Sequence, residues 1–196
     1  CTLPCYPAIS ADFIMEKLVA TGRINFPFVL KLNYGTTGEG IEFIQNEAEL
    51  RAFKQNFSEY MVEKYVKSRY DWRVFVLGGV AIGTRKKIGN EENPTDFVAR
   101  SAGLERWTED NLALAEEMQY IAAHAAATSD LEYTGVDFII DDATGQIYIL
   151  ETNVAAGWQN GFFEATGVNV PEKIMEWFSD RADFYDGLGR KAIEQY

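Results

Sequence analysis

With 196 residues, 47% of them hydrophobic and 14% aromatic, the chain can bury a substantial core and divide into two lobes; no apolar run reaches membrane-spanning length. Thirty acidic residues against 18 basic ones leave a formal net charge of −12. That argues against nucleic-acid polymers as partners, because phosphate backbones need a basic surface, although basic residues gathered in a cleft can still hold a nucleotide. Cys1 and Cys5 stand together at the start, too few for a disulfide framework and without a histidine nearby to make zinc plausible. The expectation is a reducing, cytoplasmic setting. The absence of an initiator methionine leads us to expect a fragment, a processed form or one part of a longer protein.

Thr2 to Pro7 reads as a proline-punctuated lead-in. Ser10 can cap a helix that carries Phe13, Ile14 and Leu18 at helical spacing and closes at Thr21-Gly22. Phe26 to Leu32 then reads as a strand with Pro27 at its entry. Lys31 stands inside this apolar run, which by itself is the pattern of an edge-strand lysine reaching to solvent. Next comes Asn33-Tyr-Gly35-Thr36-Thr37-Gly38-Glu39-Gly40. Three glycines and two hydroxyls let a backbone turn sharply and present N–H groups to an anion. The spacing is neither that of the P-loop nor that of the dinucleotide fingerprint, and it leads into a strand, Ile41 to Ile44. Phosphates would therefore lie under a hairpin flap and not on a helix N-terminus.

Asn46 and Glu49 have the spacing of a capping box, opening a helix with Leu50, Phe53 and Phe57 on one face. Tyr60 to Val66 reads as a strand. After a polar break, Trp72 to Leu77 and Val80 to Lys87 form a strand–turn–strand around Gly78-Gly79. Arg85-Lys86-Lys87 is the basic cluster of the chain, either a solvated strand end or a phosphate contact. Ile88 to Asp96 reads as a loop, and Phe97 to Gly103 as a short strand and turn. Thr108 caps a long helix whose buried stripe would be Leu114, Met118, Ile121, Ala122 and Ala125. His124, the lone histidine, lies in this helix and reads as structural. Beyond a loop at 154–161, two closing helices are expected. One starts at Pro171 with Ile174, Met175 and Phe178 inside; the other runs from about Asp180 to the C-terminus.

Thr134 to Asn153 carries the sharpest pattern. Val136, Phe138, Ile140, Ile147 and Ile149 alternate with other residues, and Asp141-Asp-Ala-Thr-Gly-Gln146 separates the two runs. A three-residue loop, Ala143-Thr144-Gly145, would pair Asp142 with Gln146 and set Asp137 opposite Glu151. Asn153 then shares the face of Glu151 if the strand continues. Two facing carboxylates repel, and a hard cation removes the repulsion. Two acids and an amide supply only oxygen, which suits magnesium.

The order of these parts resembles the ATP-grasp superfamily, in particular its branch of ribosomal-protein glutamate ligases and related amino-acid and peptide ligases. The likeness runs from about Phe26 to Met175. It is carried by Phe-Pro-Phe-Val-Leu-Lys31, Gly35-Thr-Thr-Gly-Glu-Gly40-Ile41, Val62-Glu-Lys-Tyr-Val66, Asp71-Trp-Arg73, Arg100-Ser, Gly135-Val-Asp137, Glu151-Thr-Asn153 and Ala165-Thr-Gly167. The resemblance implies an α+β fold, largely antiparallel sheets with flanking helices, in which two lobes clamp a nucleotide. Residues 1–25 would be a lead-in and helix from a longer N-terminal region. Residues 26–70 would form the small lobe with its glycine flap, and 71–196 the large lobe with the metal site.

It also implies roles. Lys31 would reach ATP, and Gly35, Thr36, Thr37, Gly38 and Gly40 would cover its phosphates. Glu63, Lys64, Tyr65 and Val66 would meet the adenine, and Asp71 the ribose. Asp137, Glu151 and Asn153 would hold magnesium (manganese is an alternative), and Arg100 with Lys86 or Arg85 would stabilise the transferred phosphate. The implied reaction is ATP-dependent joining of a small-molecule or peptide carboxylate to an amine through an acylphosphate, with neither nucleic acid nor membrane involved and a homo-oligomer left open. Two departures stand out: Glu63-Lys64 shifts or replaces the usual acidic hinge, and no proline follows Asn153. A non-catalytic ATP-binding module and a kinase-like phosphotransferase on the same scaffold are the alternatives.

Overall fold

The computed structural model describes residues 2–34, 40–68, 70–88, 104–105, 112–158, 163 and 166–193. They fall into two compact units. One gathers Cys1–Asp71, Lys87–Gly103 and Phe138–Leu150; the other gathers Trp72–Lys86, Leu104–Asp137 and Glu151–Tyr196.

The first unit is built on an antiparallel sheet of order β1-β4-β2-β3, from β1 (Cys5–Pro7), β2 (Phe28–Leu32), β3 (Ile41–Ile44) and β4 (Tyr60–Lys64). Side chains alternate along β2, so Phe28 and Leu30 enter one core with Ile44, Tyr60 and Val62. Ile14, Leu18, Ile24 and Leu50 close that core. Burial of each large side chain stabilises the fold by roughly 1.5–3 kcal/mol. Ser10 Oγ accepts from Phe13 N–H at 3.0 Å, starting α1 (Ala11–Phe13), which runs directly into a π-helical segment, Ile14–Val19. Gly22, at φ 71°, ends it. Asn46 Oδ1 accepts from Glu49 N–H at 3.0 Å and opens α2 (Glu47–Ala52). The Glu49 carboxylate reaches back to Gln45 N–H at 2.9 Å, one residue before the usual partner of a capping box.

The lead-in is more ordered than its composition suggests. Cys5–Pro7 pairs with β4 in the register Cys5↔Glu63 and Pro7↔Met61. Proline is tolerated there because the strand lies at the sheet edge.

A second sheet has the order β7-β6-β5-β8-β9, from β5 (Tyr70–Leu77), β6 (Val80–Ile88), β7 (Leu104–Glu105), β8 (Tyr133–Ile140) and β9 (Ile147–Asn153). Gly78 and Gly79 both take positive φ, 58° and 80°, as the tight turn between β5 and β6 requires. A side chain at Gly78 would also strike the indole of Trp177, 2.2 Å from its Nε1. Phe75, Ala156 and Val170 form a small core with Ile82, Tyr133 and Ile174 against it.

The two long helices described in the second unit differ from expectation. In α3 (Leu112–Thr128) the buried stripe is Ala115, Met118, Ala122 and Ala126, while Leu114, Ile121 and Ala125 are half-buried. Alanines on every side leave hydrophobic periodicity little to discriminate. His124 is exposed and packs edge-on against Tyr120. The expected cap at Thr108 and the strand at 97–103 lie outside the described residues. The two closing helices are one, α4 (Val170–Ile193). Gly187 and Gly189 weaken a helix by about 1 kcal/mol each but do not by themselves end it. Met175 and Phe178 are exposed; Ile174 and Trp177 make the inward contacts instead. Among the described residues no helix is long and apolar enough to cross a membrane.

Candidate functional site

Asp137, Glu151 and Asn153 come together. Asp137 lies within the buried run of β8, Thr134 to Phe138, and is 4% exposed; Glu151 and Asn153 lie on the last turns of pleat in β9, the first exposed and the second half-buried. Asn153 Nδ2 donates to Asp137 Oδ2 at 3.1 Å and to Glu151 Oε1 at 2.9 Å, so the amide links the two carboxylates. Two buried hydroxyl contacts hold the backbone that carries them. Thr134 Oγ1 donates to Asn153 O at 2.9 Å, and Tyr133 OH to Ala156 O at 2.7 Å. Burial keeps the Tyr133 phenol protonated, raising its pKa, while the charge of Arg73 pulls the other way.

The loop that sets this register is not the three-residue one expected. Asp141 N–H donates to Gln146 O at 2.9 Å and Gly145 N–H to Asp141 O at 2.8 Å, enclosing four residues with Gly145 at φ 70°. The carboxylates meet through Asn153. Asp141 Oδ1 accepts from Ala143 and Thr144 N–H, and the first of these bonds is the main reason its pKa is lowered.

Arg73 is the residue that sequence reasoning left without a role. Its Nε and Nη2 hold Asp137 Oδ1 and Oδ2 in a two-point ion pair, each bond 2.5 Å. The signal was present: an arginine in the middle of an otherwise apolar strand needs a buried partner.

Lys31 lies in β2, which is flanked by β4 and β3 and is not an edge strand; it pairs with Met61 on one side and Ile41 on the other. The edge-strand reading therefore fails. Alternation places Lys31 and Val29 on the sheet face opposite Phe28 and Leu30, with Glu63, paired to Val29, as a diagonal neighbour of Lys31. Strand β4 stops at Lys64, so Tyr65 and Val66 follow the ladder and do not belong to it. Lys64 is exposed with Nζ 5.5 Å from the Tyr148 ring centre, Tyr65 packs edge-on against Phe43 at 4.9 Å, and Val66 is buried. Burial, and after it the charge of Asp142, raises the Tyr65 pKa. Asp71 is half-buried at the start of β5. In the second unit Arg85 is 9% exposed, and Lys86 holds Nζ 5.4 Å from the Trp72 ring centre. That is not the geometry of a solvated strand end.

Gly40 is the described part of the flap. It sits at φ 74°, its carbonyl accepts from Leu32 N–H at 3.1 Å, and a side chain there would strike Leu32. Gly35, Thr36, Thr37, Gly38 and Arg100 lie outside the described residues.

The donor set fits a hard divalent cation. It offers two carboxylates and one amide oxygen, and magnesium takes oxygen ligands with few carboxylates. Among the described residues no cluster of three or more His, Cys, Asp or Glu side chains offers a competing site.

Comparison with known proteins places the chain in a family. A family model described as a RimK-like ATP-grasp domain matches residues 8–178. A coenzyme γ-F420-2:α-L-glutamate ligase of Methanococcus maripaludis is 22% identical over 177 residues, covering 86% of this chain and 58% of the relative. A probable α-L-glutamate ligase of Cellvibrio japonicus is 26% identical over 162 residues, covering 80% and 51%. The chain thus spans a little over half the length of these relatives. Among solved structures, biotin carboxylase of Campylobacter jejuni in complex with β,γ-ATP superposes with a TM-score of 0.67 at 20% identity, covering 89% of this chain and 42% of that one. The ATP-grasp ligase PsnB with a minimal precursor gives 0.64 at 18%, covering 90% and 55%. The matched family model makes the assignment: the chain belongs to the RimK-like ATP-grasp domain family and has the ATP-grasp fold.

Proposed function

We propose that this chain is the nucleotide-binding part of an ATP-dependent carboxylate–amine ligase. The observation that carries the reading is the cluster in which Asn153 joins Asp137 to Glu151. The glutamate ligases among its relatives support an amino-acid or peptide substrate. Asp137, Glu151 and Asn153 would hold magnesium, or manganese in its place. Held there, it would supply positive charge to offset that of the phosphates.

The remaining roles belong to the chain's own residues. Lys31 binds the nucleotide, and Gly35, Thr36, Thr37, Gly38 and Gly40 meet its phosphates. The Glu63–Val66 segment meets the adenine and Asp71 the ribose. Arg100, with Arg85 or Lys86, offsets charge on the transferred phosphoryl group. A substrate carboxylate oxygen attacks the γ-phosphorus, the bond to the β-phosphate oxygen breaks, and ADP leaves. An amine then attacks the acyl carbon, phosphate departs, and the amine proton is lost to solvent. Phosphoryl transfer needs positioning and charge neutralisation more than a protein nucleophile.

The test is a screen of amino acids and short peptides for ADP and phosphate release, with product masses. Release that requires both a carboxylate and an amine, with a hydroxamate when hydroxylamine replaces the amine, supports the ligase. Phosphorylation of a hydroxyl acceptor without acyl trapping replaces it with a phosphotransferase. Nucleotide binding without turnover on any pair leaves a binding module.

A further inference from the structure

The grip of Arg73 on Asp137 deepens the metal-site reading and rests on it. Arg73 donates to both oxygens of Asp137, and Asn153 adds a third bond to Oδ2. A carboxylate offers about four lone-pair positions, so most are already engaged. The two side chains are 13% and 6% exposed, which leaves solvent little part in screening them. The fold makes room for this grip. A Cβ at Gly135 would lie 3.1 Å from Arg73 Cδ and 2.6 Å from Ala156 Cβ. Gly135 and Asp137 are two residues apart on β8 and share a face, so the arginine stem passes over the glycine to reach the carboxylate.

We propose that Arg73 is a positioning residue that decides how Asp137 takes a cation. It fixes the carboxylate, balances its charge when no cation is present, and leaves it a single-oxygen contact to offer. A bare divalent ion therefore meets an acid already neutralised by a guanidinium and binds weakly. A divalent ion carried by a nucleoside triphosphate brings phosphate oxygens of its own and needs little from Asp137. The cation enters with the nucleotide.

Manganese, followed by loss of its free-ion resonance signal, serves as the probe. It is titrated into the full chain and its Arg73→Met and Arg73→Lys variants, with and without a non-hydrolysable ATP analogue. Wild type should bind the bare ion weakly and the ion with analogue at least about tenfold more tightly. Arg73→Met should bind the bare ion about tenfold more tightly than wild type, with Arg73→Lys between them. A purely structural role would leave bare-ion affinity unchanged or lower it, and either result overturns the proposal. If Arg73→Met does not fold, Gly135→Ala in an Ala156→Gly background displaces the arginine stem without the Ala156 clash. It should raise bare-ion affinity; no rise overturns the proposal. Manganese that binds none of these proteins even with the analogue removes the metal site itself. That outcome is distinct from analogue-dependent binding that ignores Arg73.

Discussion

The apolar face of the four-stranded sheet and the carboxylate of Asp137 are both buried, but they are specified in different ways. Phe28, Leu30, Val62 and Tyr60 are held by the removal of apolar surface from water, a non-directional effect that asks for volume and alternation. Asp137 is held by bonds from Arg73 and Asn153, each needing one donor at one angle. Shape-preserving changes should therefore be mild in the first region and severe in the second. Shape-removing changes should be severe in the first.

The largest stability effect tests the first half. Phe28→Ala should cost about 4 kcal/mol in chemical denaturation, because Phe28 is fully buried in the core that Ile14, Leu18, Ile24 and Leu50 close. Phe28→Leu should cost markedly less. Next, Asp137→Asn keeps volume but leaves the Arg73 guanidinium without its charge partner, for a loss of roughly 3 kcal/mol that added magnesium does not restore. Equal stability of wild type and Asp137→Asn would erase the contrast between the regions.

Smaller effects sharpen it. Gly40→Ala must adopt a positive φ and push Leu32 aside, so it should lose about 1–2 kcal/mol, read as a lower midpoint of unfolding. The smallest concerns Asp141, whose folded pKa is lowered first by its bond from Ala143 N–H. A lowered carboxylate stabilises the fold above its unfolded pKa, and that contribution is lost as pH falls through the folded value. Asp141→Asn should therefore flatten the acid limb of the stability profile, losing a little stability at neutral pH and none below the folded pKa. An unaltered acid limb would show that the loop bonds carry no charge dependence.

The same contrast explains what the sequence made legible. Strands β2 and β3, the Asn46 cap, the Gly78-Gly79 turn and the turn glycine at 145 were readable because alternation, capping and positive φ are local requirements. The sequence also pointed to Asp137, Glu151 and Asn153 as one group, and the structure brings their side chains together. Strand β1 was hidden because three residues acquire strand geometry only through β4. The face of α3 was hidden by its run of alanines. The hairpin loop was read one residue short, since a glycine last in the loop suits three or four residues equally. Arg73 went unassigned because its meaning lies in a residue 64 positions away.

The central claim is that Asp137, Glu151 and Asn153 hold the cation of a nucleotide. Its most direct measurement is calorimetric titration of a non-hydrolysable ATP analogue, with and without magnesium, into wild type and Glu151→Gln. Glu151 is exposed, so the variant should fold as wild type does. The account predicts that magnesium tightens analogue binding to wild type and that Glu151→Gln loses most of this gain. Magnesium tightening binding equally in both proteins would contradict it.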